Sequence, residues 1–120
     1  YMLKWFLQTL QINMPVERAG EYNFEGTKSA LVLDMCLKLG ADIYIFGTLG
    51  RDYADIDTFL KAGVKPVFQS YNHPSYSQLH GDFLPYMSII DLIFNEGPNS
   101  LDIIMSGNIN KYNILSNKNC

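Results

Sequence analysis

Two short runs rich in β-branched and aromatic residues, DIYIFG at 42–47 and VKPVFQSY at 64–71, constrain the fold of this chain more than any other feature. Both are of strand length and are bounded by glycine or polar turn residues. Between them lie a loop carrying Gly50, Arg51 and Asp52 and a short helical segment at 55–62 closed by Gly63. Strand, crossover helix, strand is a βαβ unit, for which a parallel pair and a right-handed crossover are expected. Pro66 offers no amide hydrogen, so the second strand is expected at an edge or with an irregular start. Two strands are too few for a self-sufficient doubly wound sheet. The expected fold is α/β: a parallel βαβ unit with flanking helices, an incomplete part of a larger α/β domain.

Helical periodicity fills much of the remainder. Leu3, Phe6, Leu7 and Leu10 recur at i, i+3, i+4 and i+7, which predicts an amphipathic opening helix stopped by Pro15. Residues 16–26 read as a polar connection with acids at Glu17, Glu21 and Glu25. A second helix is predicted from the N-cap Thr27 to Leu39, with Gly40 as its left-handed stop. Its expected core face is Leu31, Val32, Met35, Cys36 and Leu39, while Asp34 and Lys38 pair on the wet side. Further helices are predicted at 88–95, broken by Gly97 and Pro98, and at 100–105. Residues 1–106 thus read as one α/β domain, followed by a loose, asparagine-rich polar tail at 107–120.

Composition narrows the function classes. The net charge is -3, the pI is near 5.2, and the basic residues are scattered, so no stripe is available for a nucleic-acid backbone. No apolar run reaches the roughly 18 residues of a membrane span, and YMLKWFLQTLQ does not have the pattern of a signal peptide. The chain opens on Tyr1 rather than Met, from which upstream sequence is expected. Cys36 sits in an apolar helical pattern and Cys120 in a polar tail, which predicts no bridge between them and a reduced, cytoplasmic protein.

Three constellations are candidates for chemistry. The loop 47–53 leaves the carboxyl end of a predicted parallel strand, where ligands of open α/β sheets sit. There Gly47 and Gly50 could bring backbone amides to an anion and Arg51 could clamp a phosphate or carboxylate. Its spacing matches neither the P-loop nor the dinucleotide fingerprint, and an ordinary turn with Arg51 paired to a nearby acid is the plainer alternative. In the 88–95 helix, Ile89, Ile90, Leu92, Ile93 and Phe94 cover most of the circumference, which predicts extensive burial. Ser88, Asp91 and Asn95 then form one narrow polar stripe, facing either a site or dedicated hydrogen-bond partners. Finally, His73 and His80 flank Tyr76 and Gln78 in irregular chain, and either imidazole could move a proton near neutrality. Their spacing fits no standard zinc pattern, so no metal ligands are assigned. Tyr71, Tyr76, Phe83 and Tyr86 could stack on a sugar or a base, or serve as structural aromatics.

The segments GADIYIFGTLGRDY, VKPVFQSYNHPSYSQLHGDFLPY and SIIDLIFNEGPNSL together resemble the WbqC-like family. The most diagnostic positions are Tyr71, His73, Pro74, Tyr76, Gln78 and Leu79, then Phe83 and Pro85, then Ser88 through Leu92, Phe94, Asn95 and Gly97. The resemblance covers about residues 10–104. It implies a bacterial or archaeal role in O-antigen, lipopolysaccharide or other polysaccharide biosynthesis. The family pattern opens with an N-terminal half bearing a Gln-Pro-x-(Tyr/Phe)-x-Pro motif that this chain does not contain, so the resemblance implies a C-terminal portion.

The leading expectation is an enzyme, such as a transferase, acting on an activated sugar or amino-sugar derivative. Gly47, Gly50 and Arg51 would hold an anionic group, His73 or His80 would move a proton, and Asp91 would orient the base. Tyr76, Gln78, Ser88 and Asn95 would bind the substrate. No cofactor is identified; no lysine has a recognisable Schiff-base context. The alternative is a non-catalytic domain that binds a glycan or a partner protein. An apolar face left by an absent half would favour a homo-oligomer.

Overall fold

A computed structural model describes residues 1–116 of the chain. Its helices are α1 (Met2–Thr9), α2 (Lys28–Lys38), α3 (Ile56–Lys61), α4 (Ile89–Glu96), α5 (Ser100–Ser106) and α6 (Lys111–Ser116). Strands β1 (Ile43–Phe46) and β2 (Lys65–Phe68) form a two-stranded parallel sheet in which Ile43 faces Lys65 and Phe46 faces Phe68. The α/β reading therefore holds. Two compact units result, one from Tyr1–Val16 with Tyr71–Asn108, the other from Glu17–Ser70 with the described residues after Asn108. The expectation from sequence is one domain over residues 1–106. The tail predicted there to be loose contains α6, and Cys120 lies outside the described residues.

The sheet unit is organised around Phe46 and Phe59, which are 1% and 0% exposed. The Phe46 ring stacks on Phe68 at 5.3 Å and meets Phe59 at 5.2 Å and Tyr44 at 4.7 Å. Tyr44 and Phe46 lie on the covered face of β1, whereas Ile45 between them is exposed. One helical layer covers a single face of the two strands, so β1 is half-covered. On α2 the buried residues are Leu33 and Cys36, and Leu39, expected in the core, is exposed because it caps the helix as the chain turns away.

Helix ends follow local chemistry. Leucine and glycine close α2: Ala41 N–H donates to the Cys36 carbonyl and Gly40 N–H to Leu37, with Gly40 left-handed at φ +68°. The same pair of bonds ends α3 at Gly63. At α1 a non-glycine does this work. Gln11 sits at φ +56°, Ile12 N–H donates to Leu7 and Gln11 N–H to Gln8, so the helix stops well before the predicted breaker Pro15. Asp55 caps α3 by accepting from Thr58 N–H, while Thr27 occupies the cap position of α2 without a side-chain bond. Asp34 and Lys38 pair at 2.9 Å as expected.

In the other unit, Leu10 is buried at the end of α1. There Thr9, Leu10 and Gln11 share a recess of about 180 Å³ with Gly97, Ser100 and Leu101 from the α4–α5 junction. Ser100 is buried and donates to the Gly97 carbonyl at 2.7 Å.

Burial pushes the Cys36 thiol up from its ordinary 9.0 and the Tyr44 phenol up from 10.0, with the Tyr53 and Cys36 charges adding to the Tyr44 shift. Both groups are neutral when protonated, and their folded pKa values exceed the unfolded ones. Their contribution is therefore complete below the unfolded values and declines as pH rises through the folded ones. Thermal melts should show a midpoint falling progressively above about pH 9, steepening above about pH 10. A midpoint level up to pH 11 would show that these groups titrate alike in both states.

Candidate functional site

The segment between β2 and α4 has no regular structure and is shaped by side-chain bonds. Asp91, in the first turn of α4, is the hub. Its Oδ2 accepts from Tyr76 Oη at 2.8 Å and from Gln78 Nε2 at 2.9 Å, and its Oδ1 accepts from Asn95 Nδ2 at 3.2 Å. Three of the roughly four lone-pair sites of a carboxylate are thereby occupied. Gln78 goes further. Its amide also donates to the Leu84 carbonyl and its Oε1 accepts from Leu84 N–H, closing the loop between them. Glu96, which sequence reasoning passed over, accepts from Ser77 N–H at 2.8 Å and pins the same segment to the end of α4. Ser88 is the N-cap of α4, accepting from Ile90 N–H. The polar stripe Ser88–Asp91–Asn95 thus exists, but it faces dedicated partners.

The apolar part of α4 differs from expectation. Leu92 is buried and Ile89 and Ile93 partly so, yet Ile90 is 42% and Phe94 81% exposed. They stand four residues apart on one face, and the layer of chain packed on α4 covers only the opposite one.

His73 lies within an aromatic cage, its ring centroid 4.8 Å from Tyr86, 6.0 Å from Phe83 and 6.5 Å from Tyr71. Its Nε2 accepts from Tyr86 N–H at 3.1 Å, an arrangement held by a left-handed Tyr86 at φ +62°. A neutral imidazole that accepts at Nε2 carries its proton on Nδ1. That Nδ1 is buried without a partner, the one such side-chain atom among the described residues. His73 lines a cleft of about 130 Å³ with Tyr71, Tyr76, Ile89, Leu92 and Ile104. The Tyr71 hydroxyl donates to the Ile104 carbonyl, and burial pushes its phenol up. Burial and then the Asp91 hydrogen bond push the Tyr76 phenol up too. The contribution of α5 to this wall was missed; its signal was the apolar pair Ile103–Ile104.

His80 is exposed and has no hydrogen-bond partner among the described residues. Neither histidine is bonded to Asp91, so the orienting role expected of that carboxylate is not formed. The structure brings together Tyr76, Gln78, Asp91 and Asn95, with Ser88 and His73 on the adjoining cleft.

Gly47, Gly50 and Arg51 belong to the other unit. The segment Thr48–Asp52 is a 3-10 turn, and Gly50 N–H donates to the Gly47 carbonyl. Gly50 is buried, and a Cβ there would collide with the Phe46 side chain, which gives it a packing reason. Arg51 is exposed with its guanidinium carbon 4.5 Å from the Phe68 ring centroid. It is paired to no acid among the described residues. No cluster of three or more His, Cys, Asp or Glu suited to a metal occurs among them, and no helix there is long and apolar enough to cross a membrane.

A profile of the WbqC-like protein family matches residues 1–103. The chain belongs to the WbqC-like protein family. An uncharacterized protein of Mycobacterium tuberculosis, Rv1507c, is 28% identical to this WbqC-like chain over 96 residues, covering 79% of the chain and 42% of the relative. The WbqC-like chain thus spans less than half the length of that curated relative. No solved structure matches it.

Proposed function

We propose that this WbqC-like chain acts on an activated sugar or amino-sugar derivative in the building of cell-surface polysaccharide, as a transferase in a pathway of the O-antigen kind. The observation that carries the reading is the His73 cleft. It combines aromatic walls, on which a sugar face stacks, with the edge of the His73 imidazole. His73 is the group placed to meet substrate, and Asp91 holds the wall that carries Tyr76. Arg51, over the Phe68 ring and paired to no acid among the described residues, is an anion contact in its own unit.

One observation favours a second reading, a glycan-binding domain without catalysis: Asp91 spends its hydrogen bonds on its own loop and none on an imidazole. Ligand panels address the first reading. A ligand at about 100 times its Kd adds about 2.7 kcal/mol, which is about 10 °C in the melt of a chain this size. Nucleotide sugars should raise the midpoint more than the matching free nucleotides. A panel in which no sugar compound moves it would overturn the reading. Arg51→Ala should change the unliganded stability by less than about 1 kcal/mol, the worth of an exposed cation–π contact. It should also remove whatever shift free nucleotides give; a nucleotide shift that persists assigns the anion contact elsewhere.

A further inference from the structure

We propose that the outer edge of β1 pairs with β1 of a second copy of this chain, antiparallel about a dyad at Tyr44, joining two small sheets into one.

The ladder fixes which backbone groups are left over. Lys65 N–H donates to the Asp42 carbonyl and Gln69 N–H to the Phe46 carbonyl, with Ile43 opposite Lys65 and Phe46 opposite Phe68. Tyr44 and Phe46 therefore turn their amide groups to β2, and Ile43 and Ile45 turn theirs to the outer edge. Each of the two isoleucines presents a donor and an acceptor there, and none of these groups is hydrogen-bonded among the described residues. The outer edge of β2 is a poorer template, because Pro66 faces it without an N–H. Over Ile43–Phe46 the β1 edge carries neither proline nor charge, the devices that usually blunt a lone edge. Ile45 is also open to solvent.

A second copy fits because the edge is self-complementary. Antiparallel strands alternate hydrogen-bonded and open residue pairs. A dyad through Tyr44 makes Ile43 the hydrogen-bonded neighbour of the partner's Ile45, so every outward donor meets an acceptor. Asp42 is the one charge between residues 39 and 50. The dyad sets it opposite the partner's Phe46, so no like charges meet. Leu39 and Leu49, both more than half exposed, lie beyond the two ends of β1. Antiparallel pairing brings opposite ends together and turns each Leu39 toward the partner's Leu49, which a strand added in parallel does not. A twofold contact of this kind closes at two copies. Strands this short bury less than about 1,000 Å², so the association is weak and depends on concentration.

Sedimentation of the unaltered chain should give mainly monomer at about 10 µM and mainly dimer at about 1 mM. At the higher concentration the Ile43 and Ile45 amides should exchange with solvent several-fold more slowly, because the pairing uses those donors. Ile45→Pro deletes an outward donor and keeps the bonds to β2, and Ile45→Lys puts a charge on the edge. Both should remain monomeric at about 1 mM. Should the proline variant fail to fold, the lysine variant and the amide exchange of the unaltered chain carry the test. A monomer at about 1 mM overturns the contact and leaves the edge to a strand of a longer chain or of another protein. A dimer that survives in either folded variant, or that forms without slowing the two amides, overturns it by placing the contact elsewhere. Growth beyond two copies overturns the dyad.

Discussion

Asp91→Ala should destabilise the chain by about 3 kcal/mol, lowering the melting midpoint by about 10 °C. The substitution removes the acceptor for Tyr76, Gln78 and Asn95 at once. The Tyr76 hydroxyl and the Gln78 amide are partly buried, so each loses a partner that water replaces only incompletely. Tyr76→Phe, which keeps the ring against Phe83 and deletes a single donor, should cost about 1 kcal/mol. Because both changes remove the same bond, the double variant should be less destabilised than the two costs added together. This cycle also separates the readings of function. Were Asp91→Ala to stay within about 0.5 kcal/mol of the parent while turnover disappeared, the carboxylate would be chemical machinery and the structural assignment wrong.

Gly107→Ala is expected to be equally severe, at about 3 kcal/mol. Its φ of -91° suits any residue, so conformational freedom is not the reason for glycine. The reason is steric. Asn72 N–H donates to the Gly107 carbonyl at 3.0 Å, and a Cβ at this buried position would overlap the Asn72 carbonyl oxygen and stand 3.2 Å from the Tyr71 ring. Backbone cannot rotate aside as a side chain can. The variant should move Tyr71 and with it the floor of the His73 cleft. Gly20→Ala is the control, since nothing lies within 4 Å of a Cβ there, and it should change stability by less than about 0.5 kcal/mol. Similar melts for the two variants would mean that the 71–72 and 107 backbones separate easily.

What the sequence made legible was chiefly local. Composition at 43–46 and 65–68 was sufficient for both strands, and the intervening helix required them to be parallel. Asp55, Ser88, Gly40 and Gly63 marked helix ends because caps and left-handed stops are chemistry of single residues. Gln11 escaped because its side chain carries no stop signal, although it takes the left-handed conformation directly after the buried Leu10. Likewise, the spacing of Ser88, Asp91 and Asn95 disclosed a stripe, but not its partners. Tyr76 and Gln78 reach Asp91 across 15 and 13 residues through irregular chain, a path no periodicity encodes. The burial of α4 was overestimated for a related reason. Counting apolar residues around a helix says how much surface it could bury, and Ile90 and Phe94 show how little of it the neighbouring chain covers.

The interleaving of the two units has a temporal consequence. Leu10 finds its neighbours at Gly97, Ser100 and Leu101, about ninety residues later in the chain. Ribosomes add about 5–20 residues per second, so the first helix waits roughly 5–18 s for the surface it belongs to. During that wait Phe46, Phe59 and Phe68 are all available to one another, and the aromatic core can close first. Synthesis order would then make the sheet core the older structure, with the Leu10 recess closing only after residues 97–101 have emerged.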